Sequence, residues 1–197
     1  MSCICLGPKR SGKTHLLKAL QDPNSIDETS YSMPTIGTNI FTIKFPKVYS
    51  TNDKPIDAEL TDGNTKETQQ SKGSTRQIQK SIQVLEIGGT MASLWRQYFN
   101  DVQKLIYVVD TSNLCQISAA GVLLYSILAE PRLQKVKILI VLTKMDYAYR
   151  QMRNEAILML QMSKLRKQIR QNVTIVEASA VSGKGFNVIY DWLQNAL

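Results

Sequence analysis

The sequence contains few cysteines, and it has no long run of apolar residues. Cys3, Cys5 and Cys115 are an odd and sparse set for a chain of 197 residues. Such usage is typical of reducing compartments, where cysteines act as small buried hydrophobes rather than forming disulfides. Cys3 and Cys5 lie in an apolar strand pattern without partner ligands, which disfavours a metal pair there. No stretch approaches the roughly 18 to 20 uncharged apolar residues that span a bilayer.

Targeting and anchoring signals are also missing. The first residues lack the basic region and the length of a signal peptide. Ser2 stands where N-myristoylation requires a glycine, and the last residues offer no cysteine for prenylation. These absences predict a cytoplasmic chain whose contact with membranes would be peripheral.

Positive charge is in excess, since 24 Lys and Arg against 16 Asp and Glu give a formal net charge of +8. Much of it lies in the last third of the chain, in Arg132, Lys135, Lys137, Arg150, Arg153, Lys164, Arg166, Lys167 and Arg170. The solvated face of a surface helix would account for this charge. The alternative is a patch that meets anionic lipid headgroups or an acidic partner. Because no aromatic stacking platform accompanies the charge, nucleic acid is not an expected partner.

Apolar runs and turn signals alternate as strands and helices do. The pattern predicts strands at 3–6, 38–45, 81–87, 104–110, 136–142 and 173–178, and helices at about 13–20, 95–100, 116–130, within 151–170 and after residue 185. This alternation predicts a doubly wound α/β domain with right-handed crossovers.

One polar stretch, at about 47–79, interrupts this alternation between the second and third strands. It is rich in Ser, Thr, Gln, Asp and Lys and poor in large apolar residues, so it predicts a mobile insertion. The insertion is either a loop extension without a function or a loop that docks a partner. Residues 1–197 are therefore expected to form one domain with this insertion.

The most specific motif is the glycine-rich loop between the first strand and the first helix. It matches the phosphate-binding pattern G-x-x-x-x-G-K-[ST] with Gly7, Pro8, Lys9, Arg10, Ser11, Gly12, Lys13 and Thr14. The glycines let successive backbone N–H groups point at phosphate oxygens, and the helix N-terminus adds partial positive charge. Lys13 can bridge the β- and γ-phosphates, and the Thr14 hydroxyl can bind Mg²⁺. The loop predicts a nucleoside triphosphate site.

Two later segments concern the base. Thr143, Lys144 and Asp146 follow the fifth strand, at the sheet edge where α/β proteins bind ligands. The Asp146 carboxylate can accept hydrogen bonds from the guanine N1–H and 2-amino groups, a pair of donors that adenine lacks, and the Lys144 stem can lie along the base. Ser179 and Ala180 follow the last strand, where a backbone N–H could approach the guanine carbonyl oxygen, although this segment alone is equally an ordinary turn.

Residues beside the second and third strands complete the candidate phosphate end. Glu86 lies near the end of the third strand and can hold Mg²⁺ through a water, while Gly88 and Gly89 follow it and Gly89 can present its N–H to the γ-phosphate. Thr35 precedes the second strand and can coordinate the metal only when the γ-phosphate is bound. Contacts of this kind order two loops in the triphosphate state and release them after hydrolysis. The predicted metal ligands are Thr14, Thr35 and Glu86.

Together these motifs resemble those of the ADP-ribosylation-factor-like small GTPases of the Ras-like P-loop superfamily. The resemblance rests on PTIG at 34–37, GG at 88–89, LWRQYF at 94–99, YVVD at 107–110, SGKG at 182–185 and DWL at 191–193. It implies a six-stranded, mostly parallel sheet flanked by helices on both faces, with GTP and GDP as ligands and Mg²⁺ as cofactor. It also implies a monomeric switch that binds effector proteins through two switch loops, works with GTPase-activating and exchange factors, and serves membrane or ciliary protein transport.

Four positions depart from the family pattern. Thr90 follows the glycine pair where the family has a Gln that orients the attacking water, and its short hydroxyl cannot reach equivalently. Glu86 replaces an Asp, and Thr143 replaces an Asn whose amide ties the base-binding turn to the phosphate loop. Lys9 adds a cation where the γ-phosphate is expected to approach. We therefore expect GTP binding with very slow hydrolysis, and a catalytic set of Lys13, Thr35, Gly89 and Thr90.

Two other interpretations stay open at this point. A guanine-nucleotide-binding scaffold that never cycles would fit the altered catalytic positions. A P-loop kinase of nucleosides or nucleotides would fit the phosphate loop, but it would need an arginine-rich lid. The stretch 47–79 contains a single arginine, Arg76, which disfavours a lid there.

Overall fold

A computed structural model describes residues 3–45, 81–146 and 150–195 of the chain. The predicted polar insertion at 47–79 lies outside these residues. Within them, the structure has a six-stranded sheet with helices on both faces, the Ras-like α/β fold that the sequence predicts. No helix of the described residues has the length and apolarity to cross a membrane.

The sheet is mixed but mostly parallel. Its strands are β1 (Cys3–Leu6), β2 (Thr38–Lys44), β3 (Ser81–Ile87), β4 (Lys104–Asp110), β5 (Lys137–Thr143) and β6 (Val173–Glu177). They lie in the order β2-β3-β1-β4-β5-β6, and β2 pairs with β3 in the antiparallel direction while the other pairs are parallel. Each of the six predicted strands is confirmed with ends shifted by at most one residue. Apolar runs mark the buried strands β1, β4 and β5, whereas alternation of apolar and polar residues marks the more exposed β2.

Five α-helices flank the sheet in the described residues: α1 (Lys13–Gln21), α2 (Leu114–Leu128), α3 (Arg150–Met159), α4 (Met162–Gln168) and α5 (Phe186–Gln194). The single helix predicted within 151–170 is wrong, because α3 and α4 are separated at Gln161. This residue has φ 46° in the left-handed region, and the change of direction lets both Leu160 and Met162 be buried.

The predicted helix at 95–100 lies within a 3₁₀ segment, Gly89–Tyr98, which begins earlier and is interrupted by a kink at Met91. The side chain of Trp95, which belongs to this segment, is buried, and its Nε1 donates to the Gly88 carbonyl over 3.2 Å. That bond fixes the segment after β3 against the core, next to the end of the sheet where the candidate site lies.

Two apolar cores pack on opposite faces of the sheet, because side chains alternate along the central strands. Ile4 and Tyr107 point to the core that contains α2, whereas Cys5 and Val108 point to the core that contains α1 and α5. Burial raises the pKa of the Cys3 thiol to about 12 and that of Cys5 well above its usual range, so both act as hydrophobes. The expectation of buried cysteines is wrong for Cys115, which is exposed on α2.

The strand directions determine where the chemistry lies. The carboxyl ends of β1, β3, β4, β5 and β6 meet at one edge of the sheet, and the antiparallel β2 brings its amino end to the same edge. The loops that follow or precede these ends carry the residues that the sequence singles out.

Candidate nucleotide-binding site

The phosphate loop turns tightly from β1 into α1. A Cβ atom on Gly7 would lie 2.4 Å from the Val108 carbonyl oxygen, so a residue with a side chain cannot take its place without moving the backbone of β4. Gly12 has φ 88°, a left-handed conformation that glycine adopts without strain. Residues 9–14 of the loop line a cavity of about 300 Å³.

Lys13 lies across the inside of this loop. Its Nζ donates to the carbonyl oxygens of Gly7 and Pro8, each over 2.9 Å. The side chain is buried, and burial lowers the pKa of Lys13, while Cys5 and Glu86 act in the opposite direction. The ammonium group is therefore held inside the cavity, where it can meet an anionic ligand.

The three predicted metal ligands come together from three separate segments of the chain. The Thr14 hydroxyl donates to Glu86 Oε1 over 2.5 Å, and Thr35 Oγ1 lies 3.3 Å from the same carboxylate oxygen. The two threonine hydroxyls lie 3.2 Å apart. Glu86 itself is completely buried.

The donor set fits Mg²⁺ and phosphate. Two hydroxyls and one carboxylate provide only oxygen ligands, which is what this small hard cation prefers, together with water and phosphate oxygens. Within the described ranges, two buried hydroxyls have no hydrogen-bond partner, Ser11 Oγ and Ser32 Oγ, and both residues line the cavity. Buried hydroxyls are normally paired, so phosphate oxygens would supply acceptors that these groups lack.

The glycine pair after β3 packs closely against two other segments. The Gly88 N–H donates to the Gly37 carbonyl over 2.9 Å, and a Cβ on Gly88 would lie 2.4 Å from the Thr35 carbonyl oxygen. A Cβ on Gly89 would lie 2.4 Å from the Lys9 backbone nitrogen. The segments at 35–37 and 88–89 therefore contact each other and the phosphate loop. Thr90 follows them, exposed and lining the cavity.

Thr143 connects the end of β5 to the phosphate loop. Its hydroxyl lies 2.7 Å from the Ser11 carbonyl oxygen and 3.0 Å from the Val109 carbonyl oxygen, and its side chain is buried. The amide of an asparagine is absent here, as the sequence predicts, but the threonine hydroxyl provides a tie between this turn and the phosphate loop in its place. The hydroxyl on this short side chain reaches the loop directly, over 2.7 Å to the Ser11 carbonyl oxygen.

Of the remaining predicted base-binding residues, one lines the cavity and three lie outside it. Lys144 lines the cavity, whereas Asp146, Ser179 and Ala180 do not. Asp146 is exposed in the turn after β5, and the Met145 N–H contacts the Ala178 carbonyl over 3.4 Å, which brings this turn next to the segment after β6. The structure thus groups the candidate phosphate and metal residues with Lys144 and leaves the other three on the adjacent strand ends.

Sequence reasoning missed two residues that hold site side chains in place. Asp110 Oδ2 lies 2.6 Å from Lys144 Nζ, and Asn39 Nδ2 donates to Glu86 Oε2 over 3.2 Å. Asp110 ends β4, so the rule that singled out Thr143 at a strand end could also have found it. Asn39 carries no such signal, because its partner depends on the register between β2 and β3.

The basic residues of the last third do not form one helix face. Arg132 pairs with Glu130, and Arg153 pairs with Glu177. Lys164 and Lys167 lie exposed on α4, on a different element from either pair. The single solvated helix face is therefore not what the described residues show.

Comparison with known proteins agrees with this geometry. The chain matches the profile of the ADP-ribosylation factor family over residues 58–197. It is 27% identical to ADP-ribosylation factor-like protein 16 of Homo sapiens, over 98% of this chain and 84% of that protein. It is also 27% identical to ADP-ribosylation factor-like protein 2 of Arabidopsis thaliana, over 98% of this chain and 85% of that protein.

A solved structure shares the fold. The Arl6 BBS3 small GTPase of Trypanosoma brucei, with the nucleotide analogue GppNp bound, superposes with a TM-score of 0.66 at 18% identity, covering 98% of this chain and 95% of that one. The family profile spans most of this chain, and members of the family are small GTP-binding switches that hydrolyse GTP. The chain therefore belongs to the ADP-ribosylation factor family of small GTPases.

Proposed function

We propose that this GTPase switches through the contact between Thr35, Thr14 and Glu86. The observation that carries the proposal is the convergence of these three oxygen ligands, from three loops, within 3.3 Å. Mg²⁺ bound here would supply positive charge to the β- and γ-phosphates. Thr35 belongs to a loop rather than to a strand or helix, so its position depends on what the site holds.

The nucleotide would lie along the carboxyl edge of the sheet. Residues 7–14 would hold its phosphates, with Lys13 paired to the β- and γ-phosphates and the Gly89 N–H directed at the γ-phosphate. Lys144 would lie along the base, Asp146 would select guanine, and the segment at Ser179 and Ala180 would approach the guanine carbonyl oxygen. The salt bridge from Lys144 to Asp110 supports the proposed position of Lys144 along the base, because it fixes the direction of the lysine side chain.

Effector proteins would bind the segment that changes with the nucleotide. Tyr31, Met33 and Ile36 flank Thr35 and are 78%, 77% and 92% exposed. Apolar side chains exposed this far beside a ligand site are typical of a protein interface. Because they lie on the same loop as Thr35, ordering that threonine would also order this surface.

Hydrolysis would be slow without a partner. Thr90 is exposed and lines the cavity, but its side chain is too short to orient a water as a glutamine does. A GTPase-activating protein would then supply the missing group, and an exchange factor would release GDP. Membership of a family of GTP hydrolases favours this cycle over a scaffold that never turns over.

Family membership is the main support for the cellular role that we propose. We propose a monomeric, cytoplasmic switch that acts in membrane or ciliary protein transport and touches membranes peripherally. The exposed Lys164 and Lys167 of α4 would be available for anionic headgroups.

A competition assay tests the nucleotide site. Fluorescent GTP bound to the purified chain in Mg²⁺ should be displaced by GTP and GDP at far lower concentration than by ATP. Lys13→Ala should lose binding, whereas Lys18→Ala, an exposed lysine of the same helix, should not. Displacement by ATP as efficiently as by GTP would contradict guanine selection, and unchanged binding by Lys13→Ala would contradict the site. Single-turnover hydrolysis would contradict the slow cycle if it ran at the rate of glutamine-bearing relatives.

A further inference from the structure

Asn39 lies directly opposite Glu86 across the β2–β3 pair. The antiparallel register places Asn39 against Glu86, so both side chains point to the same face of the sheet. The Asn39 amide donates to Glu86 Oε2 over 3.2 Å, while Glu86 Oε1 faces the hydroxyls of Thr14 and Thr35. The two oxygens of one carboxylate therefore have different partners.

This division matters because of the length of the glutamate side chain. A glutamate has one more rotatable bond than an aspartate, so its carboxylate loses more rotamer freedom when it is fixed in one position. A hydrogen bond to a charged group from a fixed neighbour is among the stronger hydrogen bonds in proteins. Asn39 sits on strand β2 and pairs with Glu86 of β3, so its backbone is held by the sheet.

We propose that Asn39 is a positioning residue of the magnesium site, which holds Glu86 Oε2 so that Oε1 is presented towards Thr14 and Thr35. The inference rests on the proposed function of these three residues. It assigns Asn39 a role in metal affinity and leaves guanine and phosphate recognition to other residues.

Asn39 also joins the site to the loop that precedes it. The segment from Thr35 to Asn39 contacts the end of β3 at three points: Thr35 with Glu86, the Gly37 carbonyl with the Gly88 N–H, and Asn39 with Glu86. This short segment therefore supplies a candidate metal ligand, Thr35, and also Asn39, which is the hydrogen-bond partner of a second candidate ligand, Glu86. Fixing Glu86 and ordering the loop are linked through this segment.

The test measures the magnesium requirement of nucleotide retention. Dissociation of fluorescent GDP would be followed over a range of free Mg²⁺ concentrations, and again in EDTA, for the native chain and for Asn39→Leu. Leucine has nearly the shape of asparagine but no donor. The matched control is Thr38→Ala, an exposed neighbour on β2 whose side chain points to the opposite face.

We expect Asn39→Leu to need about tenfold more Mg²⁺ for half-maximal retention, the lower end of the range for losing an outer partner of a metal ligand. Dissociation in EDTA should be unchanged, and Thr38→Ala should behave as the native chain does. An unchanged magnesium requirement would overturn the inference. The inference would also be overturned if Asn39→Leu increased the GDP dissociation rate by the same factor with and without Mg²⁺. Failure of the native chain to bind guanine nucleotide at all would instead overturn the proposed function.

A double-substitution cycle separates positioning from a general disturbance of the strand. Glu86→Asp shortens the side chain by one methylene, and its carboxylate can no longer reach the Asn39 amide in the same way. In that background, Asn39→Leu should have little further effect on the magnesium requirement. A full additional tenfold loss there would show that Asn39 acts independently of Glu86 and would overturn the inference.

Discussion

The Thr143 hydroxyl lies 2.7 Å from the Ser11 carbonyl oxygen, although the two residues are 132 positions apart in the chain. The same hydroxyl lies 3.0 Å from the Val109 carbonyl oxygen. A single short side chain thus joins the end of β5 to the phosphate loop and to the neighbouring strand β4.

Thr143→Val should lower the free energy of unfolding and increase the rate of nucleotide dissociation. It keeps the shape but removes the one hydroxyl proton that the two buried carbonyl oxygens share, at a cost of about 1 to 3 kcal/mol in the free energy of unfolding. Denaturant unfolding and nucleotide dissociation measure the two effects. Thr111→Val is the matched control, because the buried Thr111 hydroxyl bonds the Thr143 carbonyl rather than the phosphate loop. Thr111→Val should lower the free energy of unfolding by a similar amount but increase the nucleotide dissociation rate less. Equal dissociation rates for the two variants would contradict this role of Thr143.

Thr90→Gln should speed hydrolysis. A longer side chain with an amide at this exposed position of the cavity can orient an attacking water, a function worth at least about tenfold in rate. Single-turnover hydrolysis of bound GTP measures the change. Thr90→Ala should show no gain, and a Thr90→Gln variant as slow as the native chain would mean that something other than this position limits the rate.

Lys9→Ala should reduce the preference for GTP over GDP. Lys9 lines the cavity, and its backbone nitrogen lies against Gly89, at the end of the loop where we expect the γ-phosphate. Because Lys9 is exposed, its interaction is screened, so we expect the ratio of the two affinities to fall only about fivefold. Titration calorimetry with GDP and a non-hydrolysable GTP analogue gives this ratio. Lys164→Ala on α4 removes the same charge far from the site, and an equal change there would point to net charge alone.

Alkaline pH should weaken GTP binding through Lys13. Burial holds the pKa of this lysine below its ordinary value of 10.5, and the ammonium must be charged to meet the phosphates. Affinity should therefore fall as the pH rises through the lowered pKa, before an exposed lysine would titrate. GTP titrations of the native chain between pH 7 and 10 would detect this fall, and Lys18→Ala, which removes an exposed lysine of the same helix, should leave it unchanged.

The lowered pKa of Lys13 has the opposite effect on the nucleotide-free chain, whose free energy of unfolding should rise with pH. Between the lowered pKa and 10.5 the unfolded chain binds more protons at Lys13 than the folded chain does. The cost of burying the ammonium is complete below the lowered pKa and is relieved as the pH rises through that interval. The Lys13 contribution to stability, read as the difference between native and Lys13→Met unfolding, should thus improve while GTP affinity declines.

What the sequence predicts depends on how local the signal is. The strands and the phosphate loop follow from short apolar runs and from a contiguous motif, and they are in place. The break at Gln161 has no Gly or Pro to announce it and follows instead from burying Leu160 and Met162 together. The partners of Thr143 and Asn39 lie in distant segments, so their roles depend on strand order and register.

The place of β1 in the sheet has a consequence for how the chain is made. β1 is the first of the six strands along the chain, yet it lies in the interior of the sheet between β3 and β4. β1 gains its two partner strands only when β3 and then β4 have been synthesised. The phosphate loop after β1 lacks its bond to Thr143 until β5 follows. Because pairings of such long sequence separation form late, we expect a nascent chain that ends before β5 to lack these contacts and to bind nucleotide poorly. Binding of nucleotide would report that synthesis has passed β5, and the ligand would stabilise the protein only from that point onwards.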